Sequence, residues 1–202
     1  MYPVPLRRSA GTVNAYLEIF LYRNQLQLAA INALYSDGDR YLPAVAALDS
    51  LKSFLPSVNN VLILGAGLGS MIRAMRKKGC YPGFTLVDID KKVLEWAIEF
   101  LDDERVSSIE PKCMDAQLFM VENTTKYDLV FIDIFNGRVV PPFVSTTVFL
   151  QQCRDSVKEG GHLAFNYIIN DDHEWEKVRN ICTLLFPGHK ILSYGINRII
   201  VI

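Results

Sequence analysis

A chain of 202 residues, half of them apolar and 21% charged, is long enough to bury a substantial core and too apolar to be a disordered polymer. Its formal charge of −1 gives no electrostatic footprint for nucleic acid or an anionic membrane surface, so neither is expected as a partner. The four cysteines (Cys80, Cys113, Cys153, Cys182) form no C-x-x-C pair and no histidine stands at ligand spacing. No metal site is therefore expected, and the cysteines read as small core residues in a reducing compartment.

The first residues, MYPVPLRRSAG, lack the apolar segment of a secretory signal, and no stretch approaches the length of a membrane span. A soluble cytoplasmic protein is expected, and the Asn123-Thr124-Thr125 sequon is read as incidental. Residues 1–14 hold two prolines and two arginines with little pattern, which suggests a loose or partner-bound tail. Tyr16–Tyr22 and Gln25–Ala30 alternate around the polar pair Arg23-Asn24, the pattern of a β-hairpin, and Ile31–Tyr35 reads as a third extended run. Turn residues at 36–40 precede Pro43, which suits the first turn of a helix over Ala44–Leu55. Two units are expected: a tail and small β-element over 1–43, and a larger domain over 44–202.

From Val61 strands and helices alternate strictly. Strands are predicted at 61–64, 84–90, 106–109, 127–134 and 162–169, and helices at 71–78, 91–101, 116–122, 146–158 and 172–185. A terminal hairpin, 190–194 with 198–202, completes the pattern. The fold class is α/β: a doubly wound, mostly parallel seven-stranded sheet of the Rossmann-like, class I methyltransferase type with an antiparallel edge strand.

The organising stretch is VLILGAGLGS (61–70). An apolar strand stops at Gly65, Gly67 and Gly69, and a helix follows at once, presenting its N-terminus to any ligand at the turn. The dinucleotide spacing G-x-G-x-x-G would need glycine at position 70, where Ser70 stands. The G-x-G-x-G spacing is instead typical of folds that bind S-adenosyl ligands, against the plain alternative of a tight strand-to-helix turn. Asp88 closes the second strand, where such sheets hold ribose hydroxyls. Asp115 stands where an adenine amino group is read, with Ala116 leaving room for the ring. Asp133 lies in the apolar run FIDIF, near where a sulfonium would sit. Competing structural readings exist for these acids: Asp90 and Asp115 as helix caps, Asp133 as a solvated loop acid. Tyr41, Asn166 and Tyr167 either line the same mouth or pack in the core.

These pieces, in this order, resemble the spermidine synthase (polyamine aminopropyltransferase) family: LYRNQLQLAAINALYSDGDRY (21–41), VLILGAGLGS, TLVDID, CMDA (113–116), YDLVFIDIFNGRVVPPFVSTTVF (127–149) and KEGGHLAFN. The resemblance implies a ribose contact at Asp88, an adenine contact at Asp115, a catalytic carboxylate at Asp133, and substrate contacts at Tyr41 and Asn136. It also implies an S-adenosyl donor, either decarboxylated S-adenosylmethionine or S-adenosylmethionine itself, a small-molecule acceptor such as a polyamine, and a homodimer. Two positions depart from the family pattern. Leu68 replaces the aspartate of its glycine loop, and Asn136 replaces the second acid of its D-x-x-D loop. Methyl transfer on the same fold, and a nucleotide-binding protein without turnover, are the competing functions.

Overall fold

The computed structural model describes residues 2–30, 33–101 and 108–202. Its main body is a seven-stranded sheet in the order β10-β11-β9-β8-β5-β6-β7. The strands are β5 (Asn60–Leu64), β6 (Gly83–Asp88), β7 (Ile109–Cys113), β8 (Tyr127–Ile132), β9 (Val157–Ile168), β10 (Lys190–Tyr194) and β11 (Asn197–Val201). β9, β8, β5, β6 and β7 run parallel. The expected antiparallel strand is β11, one place in from the edge that β10 forms.

Period-2 alternation divides each central strand between two cores. Val61 and Ile63 face one, with Phe84, Leu86, Leu129 and Phe131; Leu62 and Leu64 face the other, with Val87, Val130 and Ile132. The first core is roofed by α1 (Leu42–Ser50), α2 (Ser70–Lys77) and α3 (Lys91–Leu101), the second by α4 (Ala116–Glu122), α5 (Thr147–Asp155) and α6 (Asp172–Leu185). Helices on both faces explain why these strands read as continuous apolar runs.

A second, antiparallel sheet, β1 (Val4–Ser9), β2 (Leu17–Tyr22), β3 (Gln25–Ala30) and β4 (Leu34–Asp37), stands at the N-terminus. The predicted hairpin is β2–β3, turned at Arg23 and Asn24 with φ of 50° and 61°, the left-handed pair of a type I′ turn. Leu17, Ile19 and Leu28 enter the first core, which docks this sheet on the main body.

Several local expectations are corrected. Val4–Ser9 is a strand rather than a loose tail: it pairs with β2, Arg7 grips Glu99 through two hydrogen bonds of 2.6 and 2.7 Å, and Arg8 meets Glu18 at 2.7 Å. Partners so distant in sequence leave no periodic trace. The third extended run lies at Leu34–Asp37, while residues 31 and 32 fall outside the described residues. The strand predicted at 106–109 is Ile109–Cys113, its first two predicted residues also outside them. The first helix ends at Ser50, followed by turns and a short 3-10 turn at Leu55–Ser57. Glu159-Gly160-Gly161 does not close a helix. α5 stops at Asp155, and β9 already pairs at Val157 with Tyr127, so the glycines form an irregular insertion within the strand, with Gly160 at φ 72°.

Candidate active site

The chain moves from β5 outward to β6 and β7, then returns to β8 on the other side of β5. Such a switch point leaves a crevice beyond the carboxyl ends of the two central strands. A cavity of about 580 Å³ opens there, and Gly65, Gly67, Asp88, Asp115, Ala116, Asp133, Tyr41 and Asn136 all line it. Of the residues that the sequence offers for this mouth, Gly69, Asn166 and Tyr167 do not line it.

Two glycines are dictated by close approach. Gly65 has φ 97°, and a Cβ there would lie 2.2 Å from the carbonyl oxygen of Asp133. Gly67 has φ 50°, and its Cβ would lie 2.7 Å from the carbonyl oxygen of Tyr35. The turn is thus sandwiched between the β8 loop and the N-terminal sheet. Gly69 stands behind it: left-handed at φ 72°, it is the residue before α2, and its Cβ position faces Leu101. Leu68 is fully buried in the first core and is not a wall of the cavity.

Asp88 accepts from the backbone N–H of Ala66 and of Asp90, each at 2.9 Å. Burial pushes its carboxyl up to about 6 against the pull of those bonds. Asp115 lines the cavity and also caps α4, its Oδ1 accepting from the N–H groups of Gln117 and Leu118 at 2.8 and 3.2 Å. Cap and cavity wall are therefore not alternatives at this residue. Asp90 caps α3 through the N–H of Lys92 at 3.0 Å and is not a wall of the cavity. It also binds the loop over residues 12–14, of which Val13 and Asn14 are walls.

Asp133 follows β8 directly, its N–H bonded to the carbonyl of Leu64 at 2.8 Å. Both of its side-chain bonds fall on Oδ1, from Asn166 Nδ2 at 2.7 Å and from the Tyr41 hydroxyl at 3.1 Å. Asn197 Nδ2 donates to Asn166 Oδ1 at 3.0 Å, which turns the amide so that its NH2 faces Asp133. Burial raises the Asp133 carboxyl to about 6, with the two donors pulling the other way. Tyr41 is held well above its ordinary range by burial and by the neighbouring Asp133 charge, so it remains a neutral donor. This is a half-buried carboxylate with one oxygen pinned, not a freely solvated loop acid.

Asn166 is fully buried and is not a wall of the cavity, but it meets the site through its bond to Asp133, whereas Tyr167 does not. Alternation along β9 turns Tyr167 into the second core, against Trp175 at 5.5 Å. Sequence reasoning missed Asn14, Tyr35, Arg40, Arg138 and Asn197. Tyr35 joins two walls, its hydroxyl donating to Asn14 Oδ1 at 3.0 Å and accepting from Gly137 N–H at 2.8 Å. Among the described residues no group of three or more histidine, cysteine or acidic side chains is placed to hold a metal, and no helix is long and apolar enough to cross a membrane.

A glycine turn, an acid at the tip of β6 and a pinned carboxylate after β8 define the ligand crevice of a Rossmann-like α/β protein. Residues 48–194 match the spermine/spermidine synthase domain, and the chain belongs to that family. It is 33% identical over 156 residues to a polyamine aminopropyltransferase of Bacillus mycoides, covering 70% of this chain and 54% of that one. A probable polyamine aminopropyl transferase of Bifidobacterium longum is 26% identical over 136 residues, 67% of this chain and 28% of that one. The chain thus spans about half the length of the first relative and less of the second. In structure it resembles a probable spermidine synthase from Corynebacterium glutamicum (TM-score 0.78, 16% identity, all of this chain and 80% of that one). Spermidine synthase from Thermotoga maritima gives TM-score 0.76 at 17% identity, over 98% and 72% of the two chains. Human methyltransferase-like protein 13, solved with SAH, gives 0.64 at 19%, over 81% and 80%. Likeness at these identities establishes the fold.

Proposed function

We propose that this protein transfers an aminopropyl group from decarboxylated S-adenosylmethionine to an amine of the polyamine class. The observation that carries the reading is the Asp133 carboxylate, pinned by Tyr41 and Asn166 beside the glycine turn of a family-matched cavity. A sulfonium donor, when bound, supplies an activated carbon and a neutral thioether leaving group. The protein's task is then to hold a neutral amine in line and take its proton. Asp133 Oδ1 is already occupied, so Oδ2 is assigned as the oxygen that receives it. Asp88 is assigned to the ribose hydroxyls, Asp115 and Ala116 to adenine, Gly65 and Gly67 to close backbone approach, and Tyr41 and Asn136 to the acceptor. Gly69 is assigned a supporting part, setting the start of α2. No metal has a part in this scheme.

Support comes from the curated relatives, which are named aminopropyltransferases, and from a spermidine synthase solved with the transition-state analogue AdoDATO, whose fold this chain shares at TM-score 0.76. The division into residues 1–43 and 44–202, a homodimer through the N-terminal sheet, and a cytoplasmic setting belong to the same proposal. Incubation with decarboxylated S-adenosylmethionine and a panel of diamines, followed by mass spectrometry, tests it. A product heavier by one aminopropyl group, absent with Asp133→Asn, is the expected result; no product with any amine overturns it.

One observation favours a second reading, methyl transfer from S-adenosylmethionine. Leu68 is sealed in the core where an amine-gripping acid is expected by resemblance, so the glycine loop supplies no carboxylate for a cationic donor tail.

A further inference from the structure

Six charged residues line the cavity: Asp37, Asp88, Asp115, Asp133 and the exposed Arg40 and Arg138. Every carboxylate is engaged by the protein itself. Asp37 accepts from the side-chain amide of Gln27, Asp88 from Ala66 and Asp90, Asp115 from the first turn of α4, and Asp133 from Tyr41 and Asn166. The two arginines differ. Neither guanidinium makes a hydrogen bond or ion pair with the described residues, although eleven other lysines and arginines among those residues, Arg7 and Lys158 included, pair with acids.

Their backbones are fixed. Arg40 ends the 3-10 turn Gly38–Arg40, immediately before Tyr41. The same segment lies over the glycine turn: the Tyr35 carbonyl fills the space beside Gly67, and Ser36 Oγ meets Ser70 Oγ at 2.5 Å. Arg138 follows Gly137, whose N–H is held by the Tyr35 hydroxyl, and its own carbonyl accepts from Asn170 at 2.9 Å. Two unengaged guanidiniums on anchored walls suit a planar oxyanion, which arginine binds in a fork that lysine does not offer. They suit a purely cationic substrate badly, and positions 68 and 136 add no acid to offset them.

We infer that Arg40 and Arg138 recognise a carboxylate, so that one of the two substrates is an amino acid rather than a simple amine. The carboxylate belongs either to the donor's amino-acid tail or to the acceptor. The inference rests on the S-adenosyl reading of the same cavity: a carboxylated donor belongs to the second reading above, and a carboxylated acceptor replaces the polyamine of the first.

The test is calorimetric, on the full chain and on Arg40→Gln, Arg138→Gln and the double variant. 5′-Methylthioadenosine, which has no tail, is expected to bind all four proteins alike. In the donor arm, S-adenosylmethionine is compared with its decarboxylated form. In the acceptor arm, 4-aminobutyrate is compared with putrescine in the presence of 5′-methylthioadenosine. A preference of about tenfold or more for the carboxylated member of either pair, abolished in the double variant, supports the inference and names the source. Equal binding in both arms, a preference for the uncarboxylated members, or a preference that survives the double substitution overturns it. Failure of 5′-methylthioadenosine to bind the unaltered protein overturns the S-adenosyl reading itself, and this inference with it.

Discussion

Asn14 donates twice to the carboxylate of Asp90, through its backbone N–H and its side-chain amide, both at 2.9 Å to Oδ2. Thr12 and Val13 add their N–H groups at 3.0 and 3.1 Å, so one carboxylate fastens three consecutive residues of the loop between β1 and β2 while capping α3. Burial alone opposes ionisation of Asp90, yet these donors hold its carboxyl well below the usual carboxylate range. Asp90→Asn keeps the shape but turns an NH2 toward N–H donors. It is expected to cost about 2–3 kcal/mol in denaturant unfolding. Because the folded value is depressed, this stability is present above the unfolded value of 3.8 and is lost as pH falls below it. The difference between wild type and variant should therefore shrink in acid.

Asp133 predicts the opposite trend. Its carboxyl is raised from 3.8 to about 6, so the folded protein holds that proton more firmly than the unfolded chain does. The contribution to stability is complete below pH 3.8 and lost as pH rises through 6, by about 2–3 kcal/mol. Turnover requires the ionised form and should climb over the same interval to a plateau above pH 6. Asp133→Asn should flatten both profiles and lower turnover by about 10²–10⁴-fold, with 5′-methylthioadenosine affinity unchanged.

Tyr41→Phe removes one of the two donors that favour ionised Asp133. The midpoint of the pH–rate profile should move upward by about half a unit to one unit. A fall in rate with no shift in midpoint would show that Tyr41 serves the acceptor and not the carboxylate.

Leu68→Asp would restore the acid that the family pattern has in its glycine loop. Position 68 is fully buried among apolar side chains, so the change should destabilise the protein by about 3 kcal/mol or more without improving affinity for a cationic donor. Improved binding of decarboxylated S-adenosylmethionine by a folded variant would show that the loop can turn that side chain into the cavity.

Gly67→Ala combines a positive φ with a Cβ 2.7 Å from the Tyr35 carbonyl. Backbone cannot yield as a side-chain tip does. A loss of about 1–3 kcal/mol is expected, together with weakened nucleoside binding as β4 is pushed from the turn.

The parts legible in the sequence were those written in local periodicity. β5 and β8 announce themselves as apolar runs, Gly65 and Gly67 as a turn, and Asp88, Asp115 and Asp133 by their places at strand ends. What escaped depends on partners far along the chain. β1 owes its order partly to Glu99, 92 residues from Arg7. The orientation of Asn166 owes itself to Asn197, in a hairpin without any motif. The place of Asp90 before α3 marks it as a cap, which it is, but no pattern marks residues 12–14 as its second set of donors. Tyr167 and Asn166 are neighbours in sequence on opposite faces of β9, so assigning both to one mouth ignored the pleat.

Val13 and Asn14 are at once walls of the cavity and the residues fastened to Asp90. Whatever fills the cavity against those walls binds only the fastened form, and by thermodynamic reciprocity the fastening must then strengthen the binding by the same factor. The N-terminal strand is thereby a reporter of occupancy. Its rate of amide exchange, or of cleavage near residue 11 by a protease, should fall as the cavity is filled, giving an assay for unknown ligands that requires no knowledge of the reaction.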